Sequence, residues 1–502
     1  MLIINQNFNK SMEVGTEKCL LSRVCPKLTA YLMKILNRNR ANILLLFTRD
    51  PFAKTTIEEL EYYTSDDEVL LGFVAKDRID ETFQACLLDR DSMHKYCLVD
   101  VIIDCDTIME ARRALENKMQ SYVRNNEALQ REKPANDFFV PVAKPKQWHP
   151  AFKMLKDNGF FYAAKKVIEE LSYHFEDRDG NFVDQLQSKN GFDARIWELY
   201  LWCYLREEEF NFNYDHEAPD FMVEKWGQSV AIEAVHINRK QKTDDAYNTF
   251  SYDEIKSKLE NEIPLLYGSS LYSKLKHTYN TQPYWELEHV KGKPLVYAIA
   301  DFHGDMSMTW SFPGIVSILY GIDQKTFLNE DGSIDLVNEA GIVFRKKDVD
   351  IQPLFLDDQF RHVSAVMFSP CGTLSKFNRM GVQAGYGNKN YTLFEIKMCY
   401  NSAPDAIMPD VVGHVIDETC NETWADGIQI FHNPLADIPL NPSLFSHAGH
   451  HFYKDGVLHS STPHNHIIST MTYNIKNMPA KSAPFHLHSN EAFDSLKKVW
   501  RM

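Results

Sequence analysis

Apolar and polar positions change their period near residue 200, and this change predicts a helix followed by strands. Apolar side chains first recur at the spacing of one helical face, at Phe192, Ile196, Leu199 and Cys203. Two strand patterns come next, one beginning at Pro219-Asp220-Phe221 and the other covering the apolar run Ser229–Ile237. We therefore expect a helix and two adjacent strands at the centre of the chain.

The same patterns divide the 502 residues, too many for one compact core, into four segments. Residues 1–130 predict an N-terminal α/β domain with a regulatory or sensing role. It has a helix pattern at 26–39, a strand candidate at 41–47, three strand runs between 68 and 106, and a helix from 109. Residues 131–147, with three prolines, predict a linker. The segments 148–320 and 321–502 predict a core and a strand-rich C-terminal extension. The predicted fold class is α/β (mixed α+β), with a central mixed sheet flanked by helices.

Three acidic residues fall on the central elements. Glu198 lies at the edge of the helical stripe, while Asp220 and Glu233 are thirteen residues apart, which suits two hairpin strands joined by a turn at 225–227. Three carboxylates on a helix and two paired strands form an oxygen cage suited to a hard cation such as Mg²⁺. Isolated acids also occur by chance in a chain of this length. Here, however, Glu233 is flanked by apolar residues, so its charge would cost several kcal/mol without a metal or partner.

Helix Glu198, then Pro219-Asp220, then Glu233-Ala234-Val235 resembles the signature of the PD-(D/E)XK nuclease superfamily, the restriction-endonuclease-like fold. The resemblance covers residues 150–320, about a third of the chain, and its motif is short. It implies cleavage of phosphodiester bonds with Mg²⁺ or Mn²⁺ as cofactor, with Asp220 and Glu233 as direct ligands and Glu198 binding directly or through water. The sequence departs from the motif at Val235, where the family usually carries a lysine.

A lysine from elsewhere in the chain could replace the missing one. The helix pattern at 263–280 carries Lys274 and Lys276 and leads into an apolar strand, 291–303, as a later helix does in this superfamily. The alternative is that both lysines lie on a solvated helix face. We expect Lys274 to be the better substitute. If no lysine reaches the carboxylates, the fold would be a catalytically inactive binding or scaffold protein.

The charge of the chain bears on its partners. The net charge of −15 gives no global basic footprint for nucleic acid, although an acidic body can carry a local basic patch. The segment 375–391 interleaves Lys376, Arg379 and Lys389 with aromatic residues, a composition that could grip a nucleic-acid backbone and stack on bases. An ordinary glycine-rich loop between strands explains the same segment equally well.

The remaining patterns limit other functions and suggest a compartment. The nine cysteines form no CxxC pair, which favours a reducing, cytoplasmic location, and no apolar run is long enough to cross a membrane. Histidines cluster near the C-terminus, at 447, 450, 451, 464, 466, 486 and 488, but their spacing suits chelation poorly and favours surface histidines. GxSxG and P-loop motifs are absent.

These observations predict a metal-dependent nuclease that binds nucleic acid, with DNA as the expected substrate and no membrane partner. Residues 320–500 also resemble the C-terminal part of bacterial multidomain proteins that share FDARIWELYL and the PDF motif. A role in defence against foreign DNA would suit such an architecture. The choice between DNA and RNA, and whether the chain forms a homo-oligomer, stay open.

Overall fold

The computed structural model describes residues 32–124, 130, 136–157, 159–178, 180–238, 251–328, 334–346, 348–403, 406, 408–476 and 485–487. The chain forms two compact units. One comprises residues up to Asp137 together with Glu170–Phe175, and the other comprises Phe138–Glu169 and everything from Glu176 onward. The division at 137/138 falls inside the predicted linker.

The N-terminal unit is a five-stranded antiparallel sheet with helices. Its elements are β1 (Lys34–Ile35), α1 (Arg38–Leu44), α2 (Ala53–Thr56), β2 (Ile57–Thr64), β3 (Leu70–Asp77), β4 (Phe83–Arg90), β5 (Tyr96–Cys105) and α3 (Ile108–Ser121). The strands follow sequence order in the sheet. Each face is covered by its own apolar core, one including Leu44 and Leu45 and the other including Leu115 and Met119. The three predicted strand runs between 68 and 106, and the helix that begins near 109, are confirmed.

Two expectations for this unit were wrong. The apolar run 41–47 is not a strand: α1 ends at Leu44, and its N-cap Asn37 accepts hydrogen bonds from the next backbone amides. A short continuous apolar run fits a buried helix as well as a strand, so its periodicity could not decide. The helix expected at 26–39 is not formed over residues 32–37, where Lys34–Ile35 is strand β1 and α1 begins only at Arg38. Residues 26–31 of the predicted helix lie outside the described residues.

The second unit contains the predicted central helix and strands. Its helices are α4 (Pro150–Asp157), α5 (Tyr162–Ser172), α6 (Phe182–Gln187), α7 (Phe192–Glu207), α8 (Tyr252–Asn261), α9 (Ile263–Leu275), α10 (Phe312–Tyr320) and α11 (Leu374–Gly381). The last three residues of α5 are grouped with the first unit. Between residues 149 and 187, a single 3₁₀ turn, Gly159–Phe161, lies between α4 and α5, and α6 follows.

The strands of this unit make two main sheets and three hairpins. In chain order they are β6 (Asn211–Asn213), β7 (Phe221–Lys225), β8 (Gln228–Ile237), β9 (Thr278–Tyr279), β10 (Gln282–Pro283), β11 (Leu295–Asp301), β12 (Ile322–Leu328), β13 (Ile334–Ala340), β14 (Phe344–Lys346), β15 (Val349–Ile351), β16 (Ala365–Phe368), β17 (Tyr391–Cys399), β18 (Asp410–Ile416), β19 (Gln429–His432), β20 (Gly449–Lys454), β21 (Val457–Ser461), β22 (Ile467–Lys476) and β23 (Phe485–Leu487).

An eight-stranded mixed sheet organises the unit, in the order β21-β20-β19-β16-β11-β8-β7-β6. Its central strands β8, β11 and β16 run parallel and are buried, as expected for strands covered on both faces. Helix α7 is fixed to this sheet by the Trp197 indole, which donates to the Ala298 carbonyl (2.9 Å), and α9 also packs against β8 and β11. The class is therefore α/β, with a mixed sheet flanked by helices.

The predicted boundary at residue 320 does not separate two sheets. Strands β16, β19, β20 and β21 lie beyond it and complete the eight-stranded sheet begun by β6, β7 and β8. A second sheet, in the order β22-β17-β18-β23, belongs to the same unit. The linker segment is also packed from Phe138 onward, where Phe138 and Phe139 are buried. Among the described helices, none combines the length and apolarity that crossing a membrane requires.

Candidate active site

A tight hairpin brings the two strand carboxylates together. Strands β7 and β8 are joined by Trp226 and Gly227, both with positive φ (53° and 74°), the conformation of a two-residue turn between twisted strands. The register pairs Phe221 with Ile232, so Asp220 lies opposite Glu233. The turn and the side-by-side placement predicted from the sequence are both confirmed.

Backbone amides of the two paired segments hold the carboxyl groups of Asp220 and Glu233. The Asp220 amide donates to Glu233 Oε2 (3.0 Å), and the Ala234 amide donates to Asp220 Oδ2 (2.8 Å). Strand β7 stops at Phe221 while β8 continues to Ile237, so the two carboxyl groups sit at a notch in the sheet where β8 extends past its neighbour. Glu233 is 4% exposed, whereas Asp220 is partly exposed.

A lysine reaches these carboxylates from helix α9. The Lys274 ammonium forms an ion pair with Glu233 Oε1. The Tyr284 hydroxyl donates to the same oxygen (3.0 Å), and the lysine Nζ lies 5.7 Å from the centre of the Tyr284 ring. We call Asp220, Glu233 and Lys274 the carboxylate site. Tyr284, which no sequence pattern singled out, bonds to Glu233 and also lies beneath Lys274.

The second candidate lysine lies elsewhere. Lys276 is exposed, and its Nζ lies 4.3 Å from the centre of the Tyr272 ring. Successive residues of a helix are rotated by 100°, so side chains two residues apart point in nearly opposite directions. Lys274 faces the sheet because the buried positions of α9, which include Tyr267, Leu271 and Leu275, set that face.

The electrostatics of the carboxylate site are uneven. Burial and the neighbouring Glu233 charge raise the pKa of Asp220 to about 7, although Lys274 acts in the opposite direction. Burial and the Glu233 charge also raise the pKa of Tyr284, so this phenol stays protonated and donates. Burial, Lys274 and Arg195 lower the pKa of His236, which keeps the imidazole neutral at pH 7. The site therefore carries more negative charge than one lysine balances.

The segment leading to Asp220 is fixed by side chains that sequence reasoning missed. The Arg178 guanidinium donates to the carbonyls of His216 and Asp220, the second at 2.9 Å. His289 donates to the Ala218 carbonyl (2.6 Å), and its ring stacks on that of His216, with centroids 3.7 Å apart. These contacts involve partners distant in sequence, so no local pattern could have revealed them.

Glu198 does not complete a three-carboxylate cage. It pairs with Arg195, three residues earlier on α7, and that guanidinium is also bound by Gln185 of α6 (2.9 and 2.6 Å). In the part of the chain that the structure describes, no group of three or more His, Cys, Asp or Glu side chains could hold a metal ion. The structure does not bring Glu198 into one metal-binding group with Asp220 and Glu233, and its role as a ligand, directly or through water, stays a prediction.

The predicted nucleic-acid contacts are corrected as well. Residues 374–381 form helix α11, in which Lys376 and Arg379 are buried. Lys376 pairs with Glu422 (2.7 Å), and Arg379 pairs with both Glu422 (2.7 Å) and Glu395 (3.1 Å). We call these four residues the paired-charge cluster. Their charges face one another, so Lys376 and Arg379 present none to a nucleic acid. Lys389 is exposed and stays a prediction.

The C-terminal histidines are not simply surface residues. His450, His451 and His466 are buried, and His450 accepts or donates a hydrogen bond with the buried His432 (2.9 Å). His451 bonds to Ser460 (2.8 Å) and Gln429 (2.7 Å). Among the described residues these histidines form no metal-binding group, and His488 lies outside the described part. His447 and His464 are exposed, as expected, so the prediction of surface histidines is wrong only for the three buried ones among these five.

Comparisons with known proteins were made for the whole chain. No protein-family model, no curated protein and no solved structure matches it.

Proposed function

We propose that this protein is a metal-dependent nuclease of the PD-(D/E)XK type that hydrolyses phosphodiester bonds, with DNA as the first substrate to test. One observation carries the proposal: the Lys274 ammonium contacts Glu233, which lies beside Asp220. Two acids and a lysine are the residue types that the resemblance requires. The lysine comes from helix α9 instead of position 235, where Val235 is buried.

The donor set suits a magnesium-like cation. Mg²⁺ in phosphate-processing sites is commonly held by one or two carboxylates, with water and substrate phosphates supplying the other ligands. Asp220 and Glu233 are two such carboxylates at a partly exposed notch, and burial together with the Glu233 charge raises the pKa of Asp220. A site of this kind does not require three protein ligands. The residues present therefore fit the cation.

Each residue then has a distinct task. Asp220 and Glu233 would hold the cation, which when bound supplies Lewis acidity and a more acidic water. Lys274 would contribute a positive charge close to the phosphate on which negative charge develops. Tyr284 fixes the orientation of Glu233, and Arg178 fixes the backbone of Asp220. Preorganised charges of this kind stabilise a transition state without the cost of reorganising solvent.

The test is titration of Mg²⁺ and Mn²⁺ against plasmid, linear and single-stranded DNA and against RNA. Wild type is compared with Glu233→Gln and with Glu286→Gln, an exposed glutamate that follows Tyr284 by two residues. We expect metal-dependent cleavage in wild type and Glu286→Gln and none in Glu233→Gln. Equal cleavage by all three proteins would exclude the carboxylate site as its source.

A second candidate function is a non-catalytic binding or scaffold protein on a nuclease-like fold. It is favoured by the closed set of contacts among Asp220, Glu233 and Lys274, in which each charge already has a partner inside the protein. Calorimetry of Mn²⁺ binding, together with the cleavage assay, distinguishes the nuclease from the scaffold protein. Absence of both cleavage and Mn²⁺ binding in wild type would favour the scaffold and make the ion pair a purely structural one.

A further inference from the structure

Both oxygens of the Glu233 carboxylate already have partners inside the protein. Oε1 receives both the Lys274 ammonium and the Tyr284 hydroxyl (3.0 Å), and Oε2 receives the Asp220 amide (3.0 Å). Each carboxylate oxygen offers about two lone pairs. Oε1 is therefore saturated, and one lone pair remains on Oε2. A cation that binds Glu233 must approach a carboxylate that already holds an ammonium group.

A divalent cation and the lysine compete for the same charge. A cation bound between Asp220 and Glu233 would lie within a few ångströms of the Lys274 Nζ, and like charges at that separation repel strongly in a partly buried site. Among the described residues, the carboxylates nearest to this ammonium are Glu233, its ion-pair partner, and Asp220, whose pKa it lowers. Glu198 does not offset the added charge, because it is paired with Arg195.

The Lys274 side chain can take a second position, away from Glu233. Its side chain is 24% exposed, and its Nζ lies 5.7 Å from the centre of the Tyr284 ring, whose face attracts cations. Tyr284 is itself held by its hydrogen bond to Glu233. Lys274 can therefore leave Glu233, stay over the ring, and extend toward the open notch. A phosphodiester bound there would present the anionic oxygens that an ammonium group pairs with best.

We propose that Lys274 is an exchangeable countercharge: it neutralises Glu233 in the metal-free protein and passes to a phosphate oxygen of the substrate when a divalent cation takes Glu233 and Asp220. This inference rests on the proposed nuclease function and deepens it, because metal binding and phosphodiester binding become coupled through one side chain. By thermodynamic linkage, each ligand then strengthens the binding of the other.

The coupling is tested without any cleavage, by calorimetric titration of Mn²⁺ into wild type, Lys274→Met and Lys276→Met. The matched control, Lys276, follows the last residue of the same helix and also lies over a tyrosine ring, but it is exposed, whereas Lys274 is paired with Glu233. Without its competitor, the metal should bind Lys274→Met about tenfold more tightly than wild type, within the usual range of coupling energies. Lys276→Met should match wild type.

A measurement on the unaltered protein guards against a variant that fails to fold. Reductive methylation of lysines, followed by mass spectrometry, should label Lys274 more slowly than Lys276 in the absence of metal. Addition of Mg²⁺ should accelerate labelling of Lys274 and leave Lys276 unchanged. Unchanged labelling of Lys274 would overturn the exchange.

The outcomes separate the two proposals. If wild type binds Mn²⁺ and Lys274→Met binds it equally or more weakly, the exchange is wrong while the nuclease proposal stands on the effect of Glu233→Gln. If neither protein binds Mn²⁺ and wild type does not cleave, the nuclease function is wrong and the exchange fails with it.

Discussion

The carboxylate site and the paired-charge cluster use the same residue types to opposite effect. Both lie within one compact unit, but the paired-charge cluster is internal, whereas Asp220 and Lys274 of the carboxylate site are partly exposed. In the paired-charge cluster, two cations meet two carboxylates, and Arg379 also donates to Thr472 (2.6 Å). In the carboxylate site, two acids meet one lysine. The paired-charge cluster is therefore neutral, whereas the carboxylate site has one more negative than positive charge when both of its acids are ionised.

This difference in charge is reflected in the pKa values of the acids. Burial works to raise the pKa of Glu422, yet Arg379 and Lys376 together bring it far below its ordinary value. Burial and Glu233 raise the pKa of Asp220 to about 7, and Lys274 offsets only part of the effect. A balanced cluster is electrostatically closed and serves the fold. An unbalanced cluster is poised to take up a proton or a cation.

The largest expected effect is on the balanced cluster. Glu422→Gln leaves the buried Lys376 and Arg379 with Glu395 as their remaining carboxylate, and breaking a buried pair in this way typically costs about 3–5 kcal/mol. Chemical denaturation should show this loss in the free energy of unfolding. Glu418→Gln, at an exposed position nearby, is the control and should stay within about 0.5 kcal/mol of wild type. A loss below about 1 kcal/mol for Glu422→Gln would remove the distinction between the two clusters.

The unbalanced site should respond with the opposite sign. A folded-state pKa of about 7 for Asp220 exceeds its value of about 3.9 in an unfolded chain, so folding binds a proton between those values. The stability that Asp220 contributes is therefore present below pH 4 and lost as the pH rises through 7. Asp220→Asn keeps an acceptor for the Ala234 amide and should be more stable than wild type at pH 8, by on the order of 1–3 kcal/mol.

This second prediction is checked by denaturation in metal chelator at pH 5 and pH 8. The advantage of the variant should shrink at the lower pH, where wild-type Asp220 is itself protonated. Asp215→Asn, at an exposed position five residues earlier, should show no such trend. If the difference between Asp220→Asn and wild type did not change with pH, the excess charge would not reside on Asp220.

A third buried cluster consists only of histidines and is uncharged as long as no imidazole takes up a proton. Its members are His432, His450, His451 and His466. Burial lowers the pKa of His432 and His451 to about 3 and that of His466 to about 4. Because these values lie below the unfolded value of about 6.5, the unfolded chain binds more protons between them. The associated stability is fully present above pH 6.5 and falls as the pH drops toward 4.

His466→Asn should reduce this acid sensitivity by about 1–2 kcal/mol between pH 7.5 and pH 5, since one buried imidazole no longer resists protonation. Denaturation at several pH values measures the slope. The exposed His459→Gln is the matched control and should keep the wild-type slope. An unchanged slope in His466→Asn would show that protonation of other groups causes the loss of stability at low pH.

The smallest effect is expected at Lys389, the one member of the predicted basic segment that the structure leaves exposed. Lys389→Ala should leave stability within about 0.5 kcal/mol of wild type. If this lysine contacts a phosphate, the salt dependence of oligonucleotide binding should weaken by about one unit of slope. Lys454→Ala, also exposed, is the control. An identical slope in both variants would remove the last of the predicted nucleic-acid contacts.

Sequence alone could predict features that depend on neighbours along the chain. Asp220 and Glu233 flank a tight turn, and a hairpin whose strands keep their register must place them opposite each other. The helix at 192–207, the helix beginning at 263 and the strand 295–301 follow from local periodicity. These elements were predicted correctly because their apolar residues recur within a short stretch of the chain.

The failures have different physical causes. Burial of Lys376 and Arg379 depends on Glu422, more than forty residues away, and a basic segment looks the same whether its partner is an internal carboxylate or a phosphate. Glu198 was expected to face a metal, but Arg195 on the preceding turn of α7 pairs with it. The strand expected at 41–47 is a helix because an apolar run does not reveal how many of its sides are covered.

The sequence by itself determined the α/β class, the hairpin and the pair of acids on it, because these follow from periodicity and turn chemistry over a few residues. Only the tertiary structure decided that Lys274, and not Lys276, reaches Glu233, that Tyr284 holds them, and that two of the basic side chains are internal. The physical reason is that charge pairing depends on distance in space. The folded core sets those distances between residues that no local pattern relates.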